Sequence, residues 1–442
     1  MQIKLSDHFT CGRLLRFTFP SIIMMIIASV YSVVDGLFVA NLIGDLALSA
    51  VNIVFPVSMI LSSIGFMLGT GGCALVAKTL GEGNTKQANQ FFSMIIYALI
   101  LLGAVLTIAS ICFIRPIVRL AGASELLMED CVVYGVILLA GTVPFMLQVA
   151  MQSFLIVAEK PKMGLLLSIA AGITNMLLDY IFIAVLDLGI AGAGIATVCG
   201  YCVGGILPLL YFAKPNREGL HLTKTRFYRT EFALSCANGA SELMSNLSAS
   251  LVGILYNIQL MKLIGESGVA AHSVMMYVDF VFVAAFLGFS MGSAPIISFH
   301  YGAANHKELQ NVFRKSIAII GITCAGMVIV SEALSRPLSA AFVGYNPQLL
   351  EMTVHGFRIF ALCYFFCGIN IFASSFFTAL CNGIVSAAIS FVRSLLLRGG
   401  MVLLLPLLWG LDGVWGAVVA AEGLGAVLSI TFLFCYRKRY QY

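Results

Sequence analysis

Five acidic residues interrupt stretches of the sequence that are otherwise apolar, namely Asp35, Asp179, Glu242, Asp279 and Glu422. If those stretches cross a bilayer, each ionised side chain costs about 2.5–3.5 kcal/mol at the membrane centre, which makes each a functional candidate. A carboxyl group in such a place can take up a proton, because burial favours its neutral form, or it can coordinate a hard cation such as sodium. The alternative for each residue is a structural ion pair.

Asp35 and Asp179 are the strongest candidates for binding a cation. Asn175 precedes Asp179 by four residues, which places both side chains on one face of a helix. Asp35 ends the run Tyr31-Ser32-Val33-Val34-Asp35 in an earlier apolar segment. Oxygen-rich side chains that converge in a dry interior could share a proton or coordinate Na⁺. We therefore predict a coupling-ion site at Asp35, Asn175 and Asp179, with structural hydrogen bonding as the alternative.

Glu242 and Asp279 form a second acidic pair in the later half of the sequence. Either residue could attract a cationic compound or carry a second proton. Arg393 and Arg398 offer neutralising partners, and we assign Glu422 mainly to pairing with Arg398. Buried pairs of this kind are weak evidence for function.

The composition places these acids in a membrane protein. Of 442 residues, 60% are hydrophobic and 10% charged, whereas soluble domains carry about 25% charged residues, and the mean hydropathy is +1.00. No lysine follows a glycine, so the sequence has no P-loop, and a net charge of +5 is too small and dispersed for a nucleic-acid binder. HExxH is absent, and the one GxSxG match, at residues 288–292, lies inside an apolar segment and follows no strand, so nothing indicates an enzyme or a cofactor.

Twelve apolar segments are long enough to cross a bilayer as helices of about 20 residues. Membrane strands are excluded because the segments are too long and too uniformly apolar for a barrel. The sequence therefore predicts an all-α polytopic membrane protein with twelve transmembrane helices. The segments begin near Phe17, Leu46, Phe91, Cys131, Pro161, Ala191, Phe232, Val269, Ser316, Val354, Ile384 and Val414.

The distribution of lysine and arginine predicts the orientation of these spans. With the N terminus in the cytoplasm, 18 of the 25 basic residues fall in cytoplasmic segments, five of them in the join between the halves. We therefore expect both termini on the cytoplasmic side of the inner cell membrane.

The sequence matches itself at a shift of 221 residues, half its length, as secondary transporters often do. Six spans per half give a parallel repeat, with a pseudo-two-fold axis along the membrane normal. We predict an N-terminal lobe over residues 1–212, a cytoplasmic linker over 213–230 and a C-terminal lobe over 231–442. The matched pairs include Leu42-Ile43-Gly44 with Leu263-Ile264-Gly265, Gly71 with Gly292, Gly81 with Gly302, Asn84 with Asn305 and Gly189 with Gly410.

The repeat also shows that the two lobes differ in chemistry. At the shifted positions Asp35, Asn175 and Asp179 become Tyr256, Leu396 and Gly400. An ion site built from these residues therefore belongs to the first lobe alone.

Methionine-rich and aromatic surfaces suit a cleft that accepts varied flat ligands, and the sequence has 19 methionines. By position, Met24, Met25, Gln148 and Met151 are candidate cleft residues. Packing within the helices is the alternative for each methionine.

The sequence resembles the multidrug and toxic compound extrusion (MATE) family along nearly its whole length. The stretches that carry the resemblance are 20–35, the Leu42-Ile43-Gly44 turn, Gly81-Glu82-Gly83-Asn84, the Asn175 to Asp179 pair, 189–197 and Ala270-Ala271-His272.

The resemblance implies a twelve-helix antiporter whose lobes form a V-shaped cleft, exporting organic cations and dyes in exchange for H⁺ or Na⁺. It also implies that Thr197 joins Asp35, Asn175 and Asp179 in the ion site, and that Glu242 corresponds to an acidic residue of the seventh helix. A lipid-linked glycan flippase of a related family, suggested by Arg358, Arg393 and Arg398, is the alternative, and a membrane receptor or enzyme is a third. Because one chain supplies both lobes, we expect a monomer that contacts membrane lipid and small organic cations.

Overall fold

The computed structural model describes residues 3–214, 219–344 and 346–442, which fold as helices joined by short turns. Two π-helical stretches, Tyr180–Val185 and Val392–Leu397, continue α7 and α14. The α-helices are α1 Cys11–Leu42, α2 Asp45–Gly81, α3 Thr85–Cys112, α4 Ile114–Leu120, α5 Met128–Ala140, α6 Thr142–Val157, α7 Pro161–Asp179, α8 Gly189–Ala213, α9 Arg229–Ile264, α10 Glu266–Gly302, α11 His306–Val343, α12 Pro347–Ala361, α13 Tyr364–Ala379, α14 Gly383–Phe391 and α15 Arg398–Tyr440.

These helices confirm the predicted all-α fold with twelve spans. Among the described residues, nine helical stretches are long and apolar enough to cross a membrane. The bent pairs α5 with α6 and α12 with α13 add two more spans, which makes eleven. The last of the nine stretches, Gly383–Tyr440, is broken at Gly410 and therefore contains two spans, which makes twelve. The linker predicted over 213–230 includes residues 215–218, and with them Arg217, which lie outside the described residues. The domain boundaries stay a prediction.

The internal repeat is visible in the backbone itself. The α5–α6 and α12–α13 pairs bend by the same angle, 49°. Residues with positive φ also recur at the spacing of 221, which places the same turn at the same point of each lobe. These pairs are Gly44 with Gly265, Gly83 with Ala304, and Gly189 with Gly410.

The two described chain ends lie at one end of the helical bundle. Leu5 is bonded to Glu159 in the turn between α6 and α7, and Tyr442 packs on Phe313 near the start of α11. We call this end the terminal face and the opposite end the distal face. The charge pattern predicts that the terminal face is cytoplasmic.

The lobes, α1–α8 and α9–α15, meet through a reciprocal contact between α2 and α10 near the terminal face. A Cβ added at Gly81 would overlap the carbonyl oxygen of Phe299, and one added at Gly302 would overlap that of Lys78. Since 81 and 302, like 78 and 299, differ by the repeat spacing, one contact is the pseudo-symmetric copy of the other. We call this contact the seam, and it requires glycine because backbone meets backbone.

The apolar cores of the two lobes are organised differently. The C-terminal lobe holds one continuous core around Trp415, Phe372 and Phe376. The N-terminal lobe holds two, one near the terminal face and one near the distal face. The polar site described next borders the core near the distal face, since Tyr134, Phe145 and Tyr201 of that core line its cavity.

Candidate functional site

Asp35 and Asp179 come together in the N-terminal lobe. The amide Nδ2 of Asn175 donates a hydrogen bond of 3.4 Å to Oδ1 of Asp35, which joins α7 to α1. The carboxyl group of Asp179 also lies within interaction range of the Asp35 carboxyl group. Asn175 and Asp179 are buried, with 3% and 0% of their surface exposed.

This cluster contains more hydrogen-bond acceptors than donors. Both carboxylate oxygens of Asp179, Oδ1 of Asn175 and Oε1 of Gln148 are buried and have no well-aligned hydrogen bond among the described residues, although the Asn175 and Asp35 side chains lie beside the Asp179 carboxyl group. Buried polar groups are usually satisfied, so acceptors that face one another need a proton or a cation between them. The oxygen atoms of this cluster are thus suited to binding a coupling ion.

Two local features of the chain shape the site. The helix widens into a π-helical turn directly after Asp179, and such turns are frequent at functional sites. On the other side of Asn175, Gly200 of α8 approaches so closely that an added Cβ would lie 3.2 Å from the Asn175 Cβ. A larger residue at position 200 would therefore push α8 away from α7.

A cavity opens beside the acidic pair, between the N-terminal lobe and α10. Asp35, Asn175 and Thr197 line its polar side. The Thr197 hydroxyl donates 3.0 Å to the carbonyl of Ala193, so its oxygen lone pairs are free to accept or coordinate. The structure therefore places these three residues on one cavity and Asp179 buried next to Asp35.

Seven of the 18 other residues that line the cavity are aromatic, and the sequence did not indicate them as site residues. Phe145 and Tyr201 are stacked, with ring centroids 4.4 Å apart and planes 10° apart, and Tyr31, Tyr134 and Phe55 line the same space. Helical spacing could have found two of them, since Tyr31 lies four residues before Asp35 and Tyr201 four after Thr197.

The four candidate cleft residues divide into two pairs. Met25 and Gln148 line the cavity, next to Phe145. Met24 and Met151 do not line it: they are 1% and 0% exposed, and Met151 belongs to the core near the terminal face. These two positions are therefore packing residues, because the helix faces that carry them turn toward neighbouring helices.

Glu242 and Asp279 lie in the C-terminal lobe and are not among the residues that line this cavity, although Phe280, which directly follows Asp279, is. Glu242 is in electrostatic range of Arg393. Asp279 faces the hydroxyl of Tyr364 and lies in electrostatic range of Arg398. The structure thus places both acids beside arginines.

Glu422 forms ion pairs with both arginines inside the C-terminal lobe. Arg398 Nη2 donates to Glu422 Oε1 at 3.1 Å, and Arg393 Nη1 lies 3.5 Å from Oε2. Asn370 Nδ2 donates to the same Oε2 at 2.7 Å. Glu422 is 0% exposed, so this network replaces the open acidic pair of the N-terminal lobe with a compensated one.

The chain matches the family model MatE over residues 20–181 and 243–401. The two matched stretches correspond to the two lobes and together cover most of the chain.

Named relatives span almost the whole chain. The multidrug export protein MepA of Staphylococcus haemolyticus is 20% identical, over 96% of this chain and 94% of that protein. A protein of Shewanella oneidensis named FAD transporter is 26% identical, over 96% of this chain and 93% of that protein. These names favour export of small molecules over a glycan flippase.

Solved structures share the fold. An outward-facing multidrug resistance MATE family transporter superposes with a TM-score of 0.92 at 21% identity, covering 98% of this chain and 97% of that chain. A crystal structure of a MATE in complex with MaL6 has a TM-score of 0.92, also at 21% identity, and covers 98% of both chains.

Proposed function

Because the chain belongs to the MatE family of membrane transporters, we propose that it is a secondary antiporter that exports amphipathic organic cations in exchange for protons or sodium ions. The relatives named MepA are multidrug export proteins, which supports export of drug-like compounds.

The donor-poor acidic cluster is the observation that carries the coupling proposal. Two carboxylates that face one another repel, and a proton or Na⁺ removes that repulsion. Asp35, Asn175, Asp179 and Thr197 are the residues that would hold the ion. A sodium ion takes oxygen ligands, which two carboxylates, an amide oxygen and a hydroxyl can supply. A proton needs only the Asp35 and Asp179 pair.

Ion binding would bias the conformation because the loaded and empty clusters differ in energy. The cluster joins α1 to α7, and α1 packs on α10 of the other lobe, where Ser29 Oγ lies 3.3 Å from the carbonyl of Phe280. A change at Asp35 is thus transmitted to the lobe interface. A ligand shifts such an equilibrium only as far as it binds the two states differently.

The cavity beside the cluster supports flat, apolar substrates with a positive charge. The stacked faces of Phe145 and Tyr201 suit planar rings, and the neighbouring Asp35 suits a cation. Loss of that charge when Asp35 takes up a proton would release the substrate. One site would thereby exchange drug for ion.

A flavin nucleotide is a second candidate substrate. The relative with 26% identity is named an FAD transporter, and an isoalloxazine ring is also planar. An organic cation and FAD differ in charge, so competition between ethidium and FAD for export distinguishes the two substrates.

Membrane placement follows the charge pattern. We place the terminal face in the cytoplasm and the chain in the inner membrane as a monomer, since both lobes of the cleft come from one chain. The Cys435 side chain, which is exposed near the end of α15, offers a test: an impermeant thiol reagent should reach it in inverted vesicles and not in intact cells.

Ethidium accumulation tests the function directly. Cells that express the protein should accumulate less ethidium than cells without it, and FAD should not change the difference. Equal accumulation in both would contradict drug export, whereas inhibition by FAD and outward movement of labelled FAD would favour the second substrate.

A further inference from the structure

The segment before the first membrane helix, residues 3–10, contacts both lobes at the terminal face. It is covalently joined to α1 of the N-terminal lobe, and the amide of Leu5 donates 2.7 Å to Oε1 of Glu159 in the turn between α6 and α7. Thr10 caps α1, accepting a hydrogen bond of 3.2 Å from the amide of Arg13. The segment is therefore fixed to its own lobe at both ends.

The middle of the segment is bonded to α11 of the C-terminal lobe. The Phe9 amide donates 2.8 Å to Oε1 of Glu308, and His8 Nδ1 lies 2.7 Å from Oε2 of the same residue. The Phe9 carbonyl accepts from Asn311 Nδ2 at 2.9 Å and from Lys315 Nζ at 2.6 Å. Both polar groups of the Phe9 backbone are thus satisfied by the opposite lobe.

The Phe9 side chain anchors this contact. It is 0% exposed, and its ring meets those of Phe17 and His300 edge to face at 6.0 and 6.4 Å. His300 lies two residues before Gly302 and on another face of α10, so Phe9 is buried against α10 at the level of the seam between the lobes. Opening the terminal face would require this aromatic side chain to leave its pocket, or the segment to leave Glu159.

The repeat supplies a second strap of the same design. The linker segment before α9 packs on α3 of the N-terminal lobe: Tyr228 donates 2.8 Å to the side chain of Gln90, and its amide lies 3.2 Å from Met94 Sδ. Gln90 and Met94 precede Asn311 and Lys315 by the repeat spacing of 221. Each lobe's leading segment therefore crosses to the third span of the other lobe.

The two straps differ in one respect. The linker is a continuous chain between the lobes, whereas the N-terminal segment is bound to the C-terminal lobe by non-covalent contacts alone. When its contacts on α3 break, the linker still joins the lobes, so only release of the N-terminal strap removes a connection between them completely. The acceptor residue of the N-terminal strap also differs in charge between the two halves of the repeat, because Glu308 corresponds to the neutral Gln87. Both residues donate their backbone amide to the asparagine that caps their helix.

We propose that residues 3–10 are a releasable latch in which Phe9 and Glu308 hold the two lobes together at the terminal face, and whose release permits that face to open. This inference rests on the proposed antiport, which by alternating access requires the cavity to open to each side of the membrane in turn. It assigns to Phe9 and Glu308 a positioning role at the terminal face. This role does not follow from the acidic site in the N-terminal lobe.

Hydrogen exchange measured by mass spectrometry tests the latch without substrate or ion gradient, so its failure is distinct from failure of the transport proposal. The peptides to follow cover residues 75–83 and 296–304, the terminal ends of α2 and α10. Phe9→Ala removes a fully buried ring, Glu308→Gln weakens a hydrogen bond to a charged group, and deletion of residues 2–9 removes both. Each change should speed the exchange of these peptides by about tenfold or more. Glu308→Gln keeps the Asn305 cap and copies the arrangement already present at Gln87.

Matched controls are Phe19→Ala, since Phe19 is 58% exposed on α1, and Glu332→Gln in the distal part of α11. Both should leave the exchange of the two peptides unchanged. Unchanged exchange in the deletion variant would overturn the proposal. If that variant does not fold, unchanged exchange in Glu308→Gln overturns it.

Discussion

Asn175 donates a hydrogen bond to Asp35 across the contact between α7 and α1, at 3.4 Å. This bond joins the two helices that carry the acidic pair, and Asp179 lies one turn further along α7, fully buried. An ion captured between the carboxyl groups therefore acts on both helices at once. The predictions below test this site, the aromatic wall beside it, the seam and the compensated network of the other lobe.

Removing either carboxylate should abolish coupled efflux. Asp35→Asn and Asp179→Asn keep the size of the side chain but remove its charge, so the ion has no counter-charge to bind. Cells that express either variant should accumulate ethidium as fully as cells without the protein, at unchanged protein levels. Asp412→Asn is the control, because Asp412 pairs with His355 at an exposed position, and it should export normally. Normal efflux by the acidic-pair variants would refute the site assignment.

The sequence indicated this pair because carboxyl groups stand out against apolar spans and because Asn175 and Asp179 have helical spacing. It did not separate Met25, which lines the cavity, from Met24, which is buried. Neighbouring residues on a helix point about 100° apart, and the rotation of a helix that is apolar on every side is set by its packing partners. Hydropathy therefore carries no information about which methionine faces the cavity.

The contacts between the lobes also could not be predicted from the sequence. The match of Gly81 with Gly302 predicted the repeat, but which backbone each glycine meets depends on how the lobes dock. Phe9 gave no signal at all, because a single aromatic residue in a polar leading segment has no periodicity to interpret.

Replacing Tyr201 should weaken substrate binding more than it affects coupling. Tyr201→Ala removes one ring of the stacked pair, and aromatic stacking contributes about 0.5–1.5 kcal/mol. We expect the ethidium concentration for half-maximal transport to rise about two- to tenfold, with the response to the ion gradient retained. Tyr97→Ala, at a position 47% exposed, is the control. An unchanged half-maximal concentration would remove the stacked pair from the substrate site.

The seam should not tolerate a methyl group. Gly81→Ala or Gly302→Ala places a Cβ against the backbone of the opposite lobe, and overpacking typically costs about 1–3 kcal/mol. Both variants should melt at lower temperature and should expose the terminal ends of α2 and α10 to hydrogen exchange. Gly321→Ala has open space around the added carbon, and alanine is the better helix former by about 1 kcal/mol, so this control should melt at the same or a higher temperature. Wild-type stability in both seam variants would show that the lobes are not in contact there.

Glu422→Gln should destabilise the C-terminal lobe severely. It leaves Arg393 and Arg398 without their shared carboxylate, and breaking a buried ion pair typically costs about 3–5 kcal/mol. The exposed pair of Arg115 with Glu129, at 2.8 Å, should contribute no more than about 1 kcal/mol, so Glu129→Gln is the control. Melting temperatures of the two purified variants check this, and equal values would argue against the buried network.

Transport by purified protein in liposomes, driven by separately imposed pH and sodium gradients, tests the coupling site most directly. We expect at least one of the two gradients to drive ethidium movement by the wild-type protein and neither to drive it by Asp179→Asn. Gradient-driven movement at the wild-type rate in Asp179→Asn would show that the ion is not coupled through this carboxyl group.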